Sequence, residues 1–173
     1  MKYLFVFSFV VVFFVFDRSI GYTDVSPLWT HFAYMFQHVN IIHLCIDSIA
    51  FVGMFRVMEK FIDKRFLAAS ILFIGFAASF FSMHPLPTVG ISGAVYAMIG
   101  MYFAMITSKR LIVNDRKKLC VFAASVFVCL TMSFFKPSGN FRLHLFSLIS
   151  GYAFRMIFDS GNAAGNKSFH SSQ

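Results

Sequence analysis

The stretch TVGISGAVYAMIGMYFAMIT, residues 88–107, places a glycine-flanked serine, Ser92, at the start of a long apolar run. The run, Val89–Thr107, contains no Asp, Glu, Lys, Arg or His and approaches the roughly 20 residues that an α-helix needs to cross a bilayer. The rest of the chain agrees, because 58% of its residues are hydrophobic and its mean hydropathy is +0.74. Soluble domains have about 45–50% apolar residues. The composition therefore predicts an integral membrane protein.

Five further runs of the same kind predict a polytopic, all-α membrane protein with six transmembrane helices. The six candidate spans are Tyr3–Phe16, Ile41–Val57, Phe66–Met83, Val89–Thr107, Leu119–Phe135 and Phe141–Phe158. The first is short enough to be the core of a secretory signal peptide, but no Ala-x-Ala cleavage site follows it, which favours a retained helix. The 173 residues contain no linker or repeat. We therefore expect one membrane domain over residues 1–158 and a polar, disordered cytoplasmic tail over residues 159–173.

The basic residues predict the orientation, because lysine and arginine concentrate in the cytoplasmic loops of membrane proteins. If the N-terminus is cytoplasmic, only Arg18, Lys136 and Arg142 of the 15 basic side chains face outward. Both termini are then cytoplasmic, and the net charge of +8 needs no nucleic-acid partner. His31 and His38 fall in the outer segment before the second span, where we expect interfacial or solvated roles. The short six-span length favours a bacterial-type inner (plasma) membrane.

Apart from Arg56, Arg142 and Arg155, which lie towards the ends of two runs, few charged or histidine side chains lie inside the apolar runs. They are His43 and Asp47 in the second run and His144 in the sixth. Such side chains are costly in hydrocarbon and are candidates for function. Under the predicted orientation, all three lie within about two helical turns of the outer surface, and so does Ser92. The sequence therefore predicts that one shallow layer collects these four side chains.

The faces of the fourth and sixth runs predict that Ser92 and His144 are neighbours. Small residues line both faces, which lets membrane helices approach each other closely. The positions are His144, Ser147 and Gly151 on one helix and Ser92, Gly93, Tyr96 and Gly100 on the other. A histidine within hydrogen-bond reach activates a serine hydroxyl as a nucleophile, and the unpaired N–H groups at a helix start can stabilise an oxyanion. The pattern points to acyl transfer, with His43 and Asp47 as candidate oxyanion donors.

Structural roles without catalysis are an alternative explanation for the same four polar residues. Ser92 can cap the N-terminus of a helix, and His144 can bond to a backbone carbonyl within the bundle. His43 and Asp47 can form a structural hydrogen bond. No H-E-x-x-H motif is present and Asp47 is the only carboxylate near the histidines, so we expect neither a metal nor another cofactor.

Four segments together resemble the rhomboid family of intramembrane serine proteases. GISGAVYAMIG resembles the family's G-x-S-G segment, and FAYMFQHVNIIHLCID resembles its H-x-x-x-x-H-x-x-x-N pattern in helix two. LHLFSLISG is similar to the A-H-x-x-G-x-x-x-G pattern of helix six, and MEKFIDKRF is similar to the E-x-x-x-G-x-x-x-F stretch that follows helix two. The similarity covers about residues 30–158, in the family's order and spacing.

The resemblance implies a six-helix core with a Ser–His dyad, in which Ser92 is the nucleophile and His144 is the base. It places the oxyanion hole at His43, at Asp47 and at the backbone of Ser92 and Gly93. The implied supporting positions are Tyr96, which would stack on His144, and Gly90, Ser147 and Gly151. The family cleaves transmembrane segments of other proteins near the outer membrane surface, which makes such proteins the expected partners.

The chain departs from the family pattern in several places. Asp47 stands where the family has asparagine, and an ionised carboxylate there would oppose an oxyanion. Ser147 and Asp63 each replace a glycine, and the segment before the second span lacks a Trp-Arg pair. We therefore hypothesise an intramembrane serine protease, with a rhomboid-like pseudoprotease that binds membrane helices as the alternative. A small transporter fits less well, because one shallow polar layer makes no path across the bilayer.

Overall fold

The computed structural model of the chain is helical throughout its described secondary structure, which confirms the all-α part of the predicted fold class. It describes residues 1–16, 20–82, 85–135 and 139–170, with side chains to residue 158. Its helices are α1 (Lys2–Val15), α2 (Thr30–Ala33), α3 (Ile41–Met58), α4 (Lys64–Phe80), α5 (Ser92–Thr107), α6 (Arg116–Phe135) and α7 (Phe141–His170). Each of the six predicted runs overlaps one long helix. The short α2, continued by a 3-10 turn at Tyr34–Phe36, was not predicted.

Two of the helices, α3 and α6, are long and apolar enough by themselves to cross a membrane. The apolar helices α1 and α5 are shorter, at 14 and 16 residues, and can span a bilayer only where it thins locally. The count of six membrane spans therefore stays a prediction. So does the domain boundary at residue 158, which falls within α7. The predicted end of the third span at Met83 lies outside the described residues, as do Arg18 and Lys136.

Helix α5 forms the centre of the bundle and packs against α3, α4 and α7. It is buried almost continuously from Gly93 to Met101, and Ala104 and Met105 extend the buried stretch towards its end. A helix that is apolar on all sides, as this one is in sequence, needs such surroundings. The serine-bearing segment therefore leads into the interior of the protein.

Glycines allow the backbones of α5 and α7 to touch. A Cβ atom on Gly100 would lie 2.0 Å from the carbonyl oxygen of Leu148, and one on Gly151 would lie 2.1 Å from that of Ala97. Neither distance leaves room for a side chain. This close approach is the small-residue packing that the sequence predicts between these two helices, and it fixes the distance between Ser92 on α5 and α7.

Helix α6 lies at the edge of the bundle and packs mainly against α7. Among its 20 residues, only Val126 and Ser133 are buried. Its end is held by Phe134, whose ring packs edge-on against Phe141 of α7 with 5.3 Å between centroids. Large apolar side chains such as Phe127 are exposed, as expected where lipid covers the helix.

Polar contacts gather the N-terminus and the α3–α4 turn at one end of the bundle. Lys2 forms an ion pair with Glu59, which follows α3. Asp63 caps α4 by accepting hydrogen bonds from the backbone N–H groups of Phe66 and Arg65, and these bonds lower the pKa of its carboxyl. The basic residues of the N-terminus and of this turn therefore lie on the same side.

A buried polar cluster fixes the segment that leads into α5 at the opposite end. Tyr22 and Thr88 exchange backbone hydrogen bonds of 3.2 and 2.9 Å. The amide of Asn140, just before α7, lies 3.0 Å from the side-chain oxygens of both residues and 2.8 Å from the carbonyl oxygen of Ser82. Burial raises the pKa of Tyr22 to about 12, so its hydroxyl stays neutral. The approach to Ser92 is thereby tied to α4 and α7.

His31 and His38 are both buried, so the prediction of interfacial or solvated roles is wrong for them. His31 Nδ1 lies 2.8 Å from Ser79 Oγ, and its ring stacks on Tyr22 and on Phe80. Burial lowers the pKa of His31, which favours the neutral ring. The reason for the error is α2, which folds the segment before α3 back into the bundle.

Candidate active site

Ser92 and His144 meet where α5 begins beside α7. The Ser92 Oγ atom lies 2.9 Å from His144 Nε2, within hydrogen-bond distance. Ser92 is the first residue of α5, the N-cap position is Ile91, and no side-chain hydrogen bond caps this end. The interpretation of Ser92 as a helix cap is therefore wrong, because its hydroxyl turns to His144 instead.

The imidazole of His144 is held on its face and at both nitrogens. The Tyr96 ring stacks on it, with 4.5 Å between centroids and an interplanar angle of 25°. Ser133 Oγ of α6 lies 2.9 Å from Nδ1, on the far side from Ser92. Sequence reasoning missed Ser133. The sequence shows that Ser133 carries a hydroxyl near the outer end of the fifth run, but the same is true of Thr131. Only the rotation of the helix about its axis determines which of the two faces His144, and the sequence does not give that rotation.

Asp47 lies between two histidines. Its Oδ2 atom is 3.4 Å from His38 Nε2 and 3.4 Å from His43 Nε2. Asp47 and His38 are buried, at 7% and 1% exposure. The sequence placed Asp47 and His43 on one face of α3, whereas His38 joins them only because the chain turns into the bundle before that helix. The carboxylate therefore faces two potential cations in a site with little solvent.

The surroundings of His43 specify which of its nitrogens carries the proton. Asn40 caps α3 by accepting from the His43 backbone N–H at 2.9 Å, which places the histidine in the first turn. The backbone N–H of Val39 donates to His43 Nδ1 at 3.4 Å. Because Nδ1 acts as an acceptor, a neutral ring carries its proton on Nε2. The N–H donor of His43 then points towards Asp47.

Gly90 joins the serine segment to this histidine–aspartate pair. Its φ of +121° belongs to the region that glycine favours, and its N–H donates to the Tyr34 carbonyl oxygen at 2.9 Å. A Cβ atom at this position would lie 2.9 Å from Asp47 Oδ2 and 3.0 Å from His43 Cε1. Glycine therefore lets the backbone two residues before Ser92 touch both side chains.

The start of α5 also supplies backbone donors. The N–H groups of Ser92 and Gly93 lie in the first turn, where a helix offers no acceptor and its dipole is positive. A Cβ atom on Gly93 would lie 3.3 Å from Ser147 Oγ and 3.3 Å from Tyr34 Oη. Ser147 is completely buried. This corner is tightly packed and polar.

The described residues contain no group of three or more His, Cys, Asp or Glu side chains arranged to hold a metal ion. The groups that do converge are a serine hydroxyl, an imidazole that can accept its proton, and N–H donors at a helix start. These are the parts that general-base acyl transfer requires. Gly90, two residues before Ser92, lies against both His43 and Asp47, so the histidine–aspartate pair adjoins the serine segment.

Comparison with known proteins agrees with the residue pattern. A sequence model of the rhomboid domain matches residues 25–160, a range that contains every residue of the site described above. A search of curated proteins finds no match to the chain. Because the matched range covers most of the sequence, the chain belongs to the rhomboid family of integral membrane proteins.

Proposed function

We propose that this chain is an intramembrane serine protease that hydrolyses peptide bonds in or beside transmembrane segments of other membrane proteins. The observation that carries the proposal is the 2.9 Å contact between the part-buried side-chain atoms Ser92 Oγ and His144 Nε2 at the start of α5. Membership of the rhomboid family supports it, because the family generally consists of serine proteases.

In the proposed mechanism, Ser92 is the nucleophile and His144 is the general base. Ser92 Oγ attacks the scissile carbonyl carbon while its proton moves to His144 Nε2. The tetrahedral intermediate then breaks its C–N bond, and the leaving amine takes the proton from Nε2. Water next attacks the acyl-enzyme, gives its proton to Nε2, and releases the new carboxyl end while Ser92 recovers its proton.

The proposed oxyanion hole consists of the backbone N–H groups of Ser92 and Gly93 and the Nε2–H of His43. Helix-start N–H groups act as fixed dipoles in a site with little water, where such stabilisation is strong. Asp47 departs from the family asparagine. Its contacts with His38 and His43 offset part of its negative charge, which supports retention of activity.

The proposed topology has six spans, cytoplasmic N- and C-termini, a membrane domain over residues 1–158 and a polar tail over residues 159–173. Its orientation rests on the distribution of basic residues, and its short six-span length favours a bacterial inner membrane. The Ser92 layer then lies near the outer surface. Membrane-protein substrates and lipid are the expected partners, and the chemistry needs no metal, cofactor or nucleic acid.

Labelling with a fluorophosphonate, which reacts preferentially with activated serine hydroxyls, tests the proposal. We expect purified protein in detergent or liposomes to form an adduct at Ser92, identified by mass spectrometry. Labelling should disappear in Ser92→Ala and His144→Ala. It should persist in Ser125→Ala, because Ser125 is exposed on α6 and bonds only to a backbone carbonyl of its own helix.

The competing function is that of a rhomboid-like pseudoprotease, which the carboxylate of Asp47 motivates. It predicts an inert Ser92 in a folded protein that still binds transmembrane helices. Absence of a Ser92 adduct, together with retained binding of a helix in liposomes, would favour this alternative over the protease.

Asp47→Asn is expected to raise the fluorophosphonate labelling rate by up to about tenfold. A neutral amide removes the repulsion between a carboxylate and the developing oxyanion, and a tenfold change corresponds to about 1.4 kcal/mol. The control is Asp115→Asn, which removes an exposed carboxylate before α6 that pairs with Lys118. An unchanged or slower rate for Asp47→Asn would show that the carboxylate does not oppose the reaction.

A further inference from the structure

Ser133 of α6 has an unusual hydrogen bond for a helical serine in this protein. Five hydroxyls in the described helices donate to the carbonyl oxygen four residues earlier, and two of them, Ser125 and Thr131, lie on the same helix and do so at 2.8 and 2.9 Å. Ser133 Oγ instead lies 2.9 Å from His144 Nδ1. Ser133 is also 8% exposed, in a helix whose side chains are mostly exposed. Its hydroxyl is therefore directed into the protein and onto the candidate base.

The position of this bond gives it a chemical consequence. A neutral imidazole carries one proton, on either Nδ1 or Nε2. His144 can accept the proton of Ser92 at Nε2 only when its own proton is on Nδ1, and Ser133 Oγ is the acceptor that faces Nδ1. Ser133 Oγ can also accept from His144 when the ring becomes an imidazolium during the reaction, because Nδ1 carries a proton in the imidazolium as well as in this neutral tautomer.

We propose that Ser133 is a positioning residue that holds His144 in the tautomer with Nδ1 protonated, so that a hydroxyl from α6 completes a Ser92–His144–Ser133 chain. This inference rests on the proposed protease function, in which the dyad has no acidic third member. Ser133 does not touch the reacting atoms and acts only through the imidazole.

The placement of Ser133 on α6 ties the orientation of the base to the docking of that helix. α6 has only two buried residues, and the neighbouring Phe134–Phe141 contact holds its end against α7. Tyr96 contacts the face of the His144 ring and can limit its tilt, but a ring face offers no acceptor for Nδ1–H. The tautomer therefore depends on the hydroxyl from α6.

The test compares fluorophosphonate labelling rates of wild type, Ser133→Ala, Ser133→Thr and Ser125→Ala in detergent. We expect Ser133→Ala to label about tenfold more slowly, the factor that corresponds to one neutral hydrogen bond. Ser133→Thr, which keeps the hydroxyl, should restore most of the rate. Ser125→Ala, two turns away on the same helix, should label as wild type does.

A spectroscopic measurement separates tautomer control from simple packing. In protein with ¹⁵N-labelled histidine, the His144 signals are identified by their loss in His144→Ala. We expect Nδ1 of the neutral ring to be protonated in wild type and in Ser133→Thr, and a mixture of both tautomers in Ser133→Ala. An unchanged tautomer in Ser133→Ala, or an unchanged labelling rate, would overturn the inference. A wild type that does not label at Ser92 at all contradicts the protease function, while the tautomer measurement still decides the role of Ser133.

Discussion

Ser92→Ala and His144→Ala are each expected to lower the cleavage rate of a transmembrane reporter protein by at least about a thousandfold. The two side chains form one proton-transfer unit across the 2.9 Å contact, so the loss of either removes the activated nucleophile. The double variant should therefore be no slower than the single variants. Cleavage is measured in liposomes that contain the purified enzyme and a reporter with one membrane-spanning helix.

This non-additivity distinguishes a catalytic pair from two residues that only support the fold. Two independent structural defects would add their effects, whereas members of one chemical unit would not. Ser125→Ala serves as the control, because it removes an exposed serine hydroxyl without approaching the site. Retention of wild-type cleavage in Ser92→Ala would contradict the proposed function, and a double variant much slower than both singles would contradict the dyad.

Gly100→Ala is expected to prevent the correct packing of α5 against α7 and to leave little folded protein. Its Cβ atom would lie 2.0 Å from the Leu148 carbonyl oxygen, and that backbone cannot move aside without separating the helices. Ordinary overpacking costs about 1–3 kcal/mol, and a clash with backbone exceeds that range. The yield of monodisperse protein in detergent and its thermal unfolding midpoint measure the effect.

Gly53 on α3 offers a matched control for this substitution. A Cβ atom on Gly53 would meet nothing within 4 Å, so Gly53→Ala removes the same kind of residue without a clash. Its only expected effect is a stabilisation of the folded protein by about 1 kcal/mol or less, because alanine has a better helix propensity than glycine. The same unfolding midpoint for Gly100→Ala and Gly53→Ala would show that the α5–α7 contact does not require glycine.

Local patterns were sufficient for the six longer helices and for the pairing of Ser92 with His144, but not for the short α2. The run that follows Ser92 becomes α5, and the small faces around Gly100 and Gly151 meet as expected. These features follow from helix periodicity and side-chain size, which nearby residues define. The proximity of Ser92 and His144 followed from the same reasoning, because both lie near the same end of helices that pack through those faces.

Helix periodicity and side-chain size did not predict the hydrogen-bond and ion-pair partners of the polar side chains. His38 reaches Asp47 only because α2 turns the chain inward, and Ser133 reaches His144 only through the rotation of α6 about its axis. A helical sequence pattern gives the relative directions of its own side chains but not the angle at which the helix docks. Asn140, with its links to Tyr22 and Thr88, depends likewise on the paths of separate loops.

The sequence by itself determined an all-helical chain of membrane-protein composition, the family to which it belongs, and a serine and a histidine in one layer. Apolar run lengths and helical periodicity are local properties, so they are readable without coordinates. Only the tertiary structure decided that Ser92 does not cap its helix, that Asp47 lies between two histidines and that Ser133 faces the base. Buried polar groups take whichever partners helix packing brings within about 3 Å, and that packing is set by the whole bundle rather than by neighbouring residues.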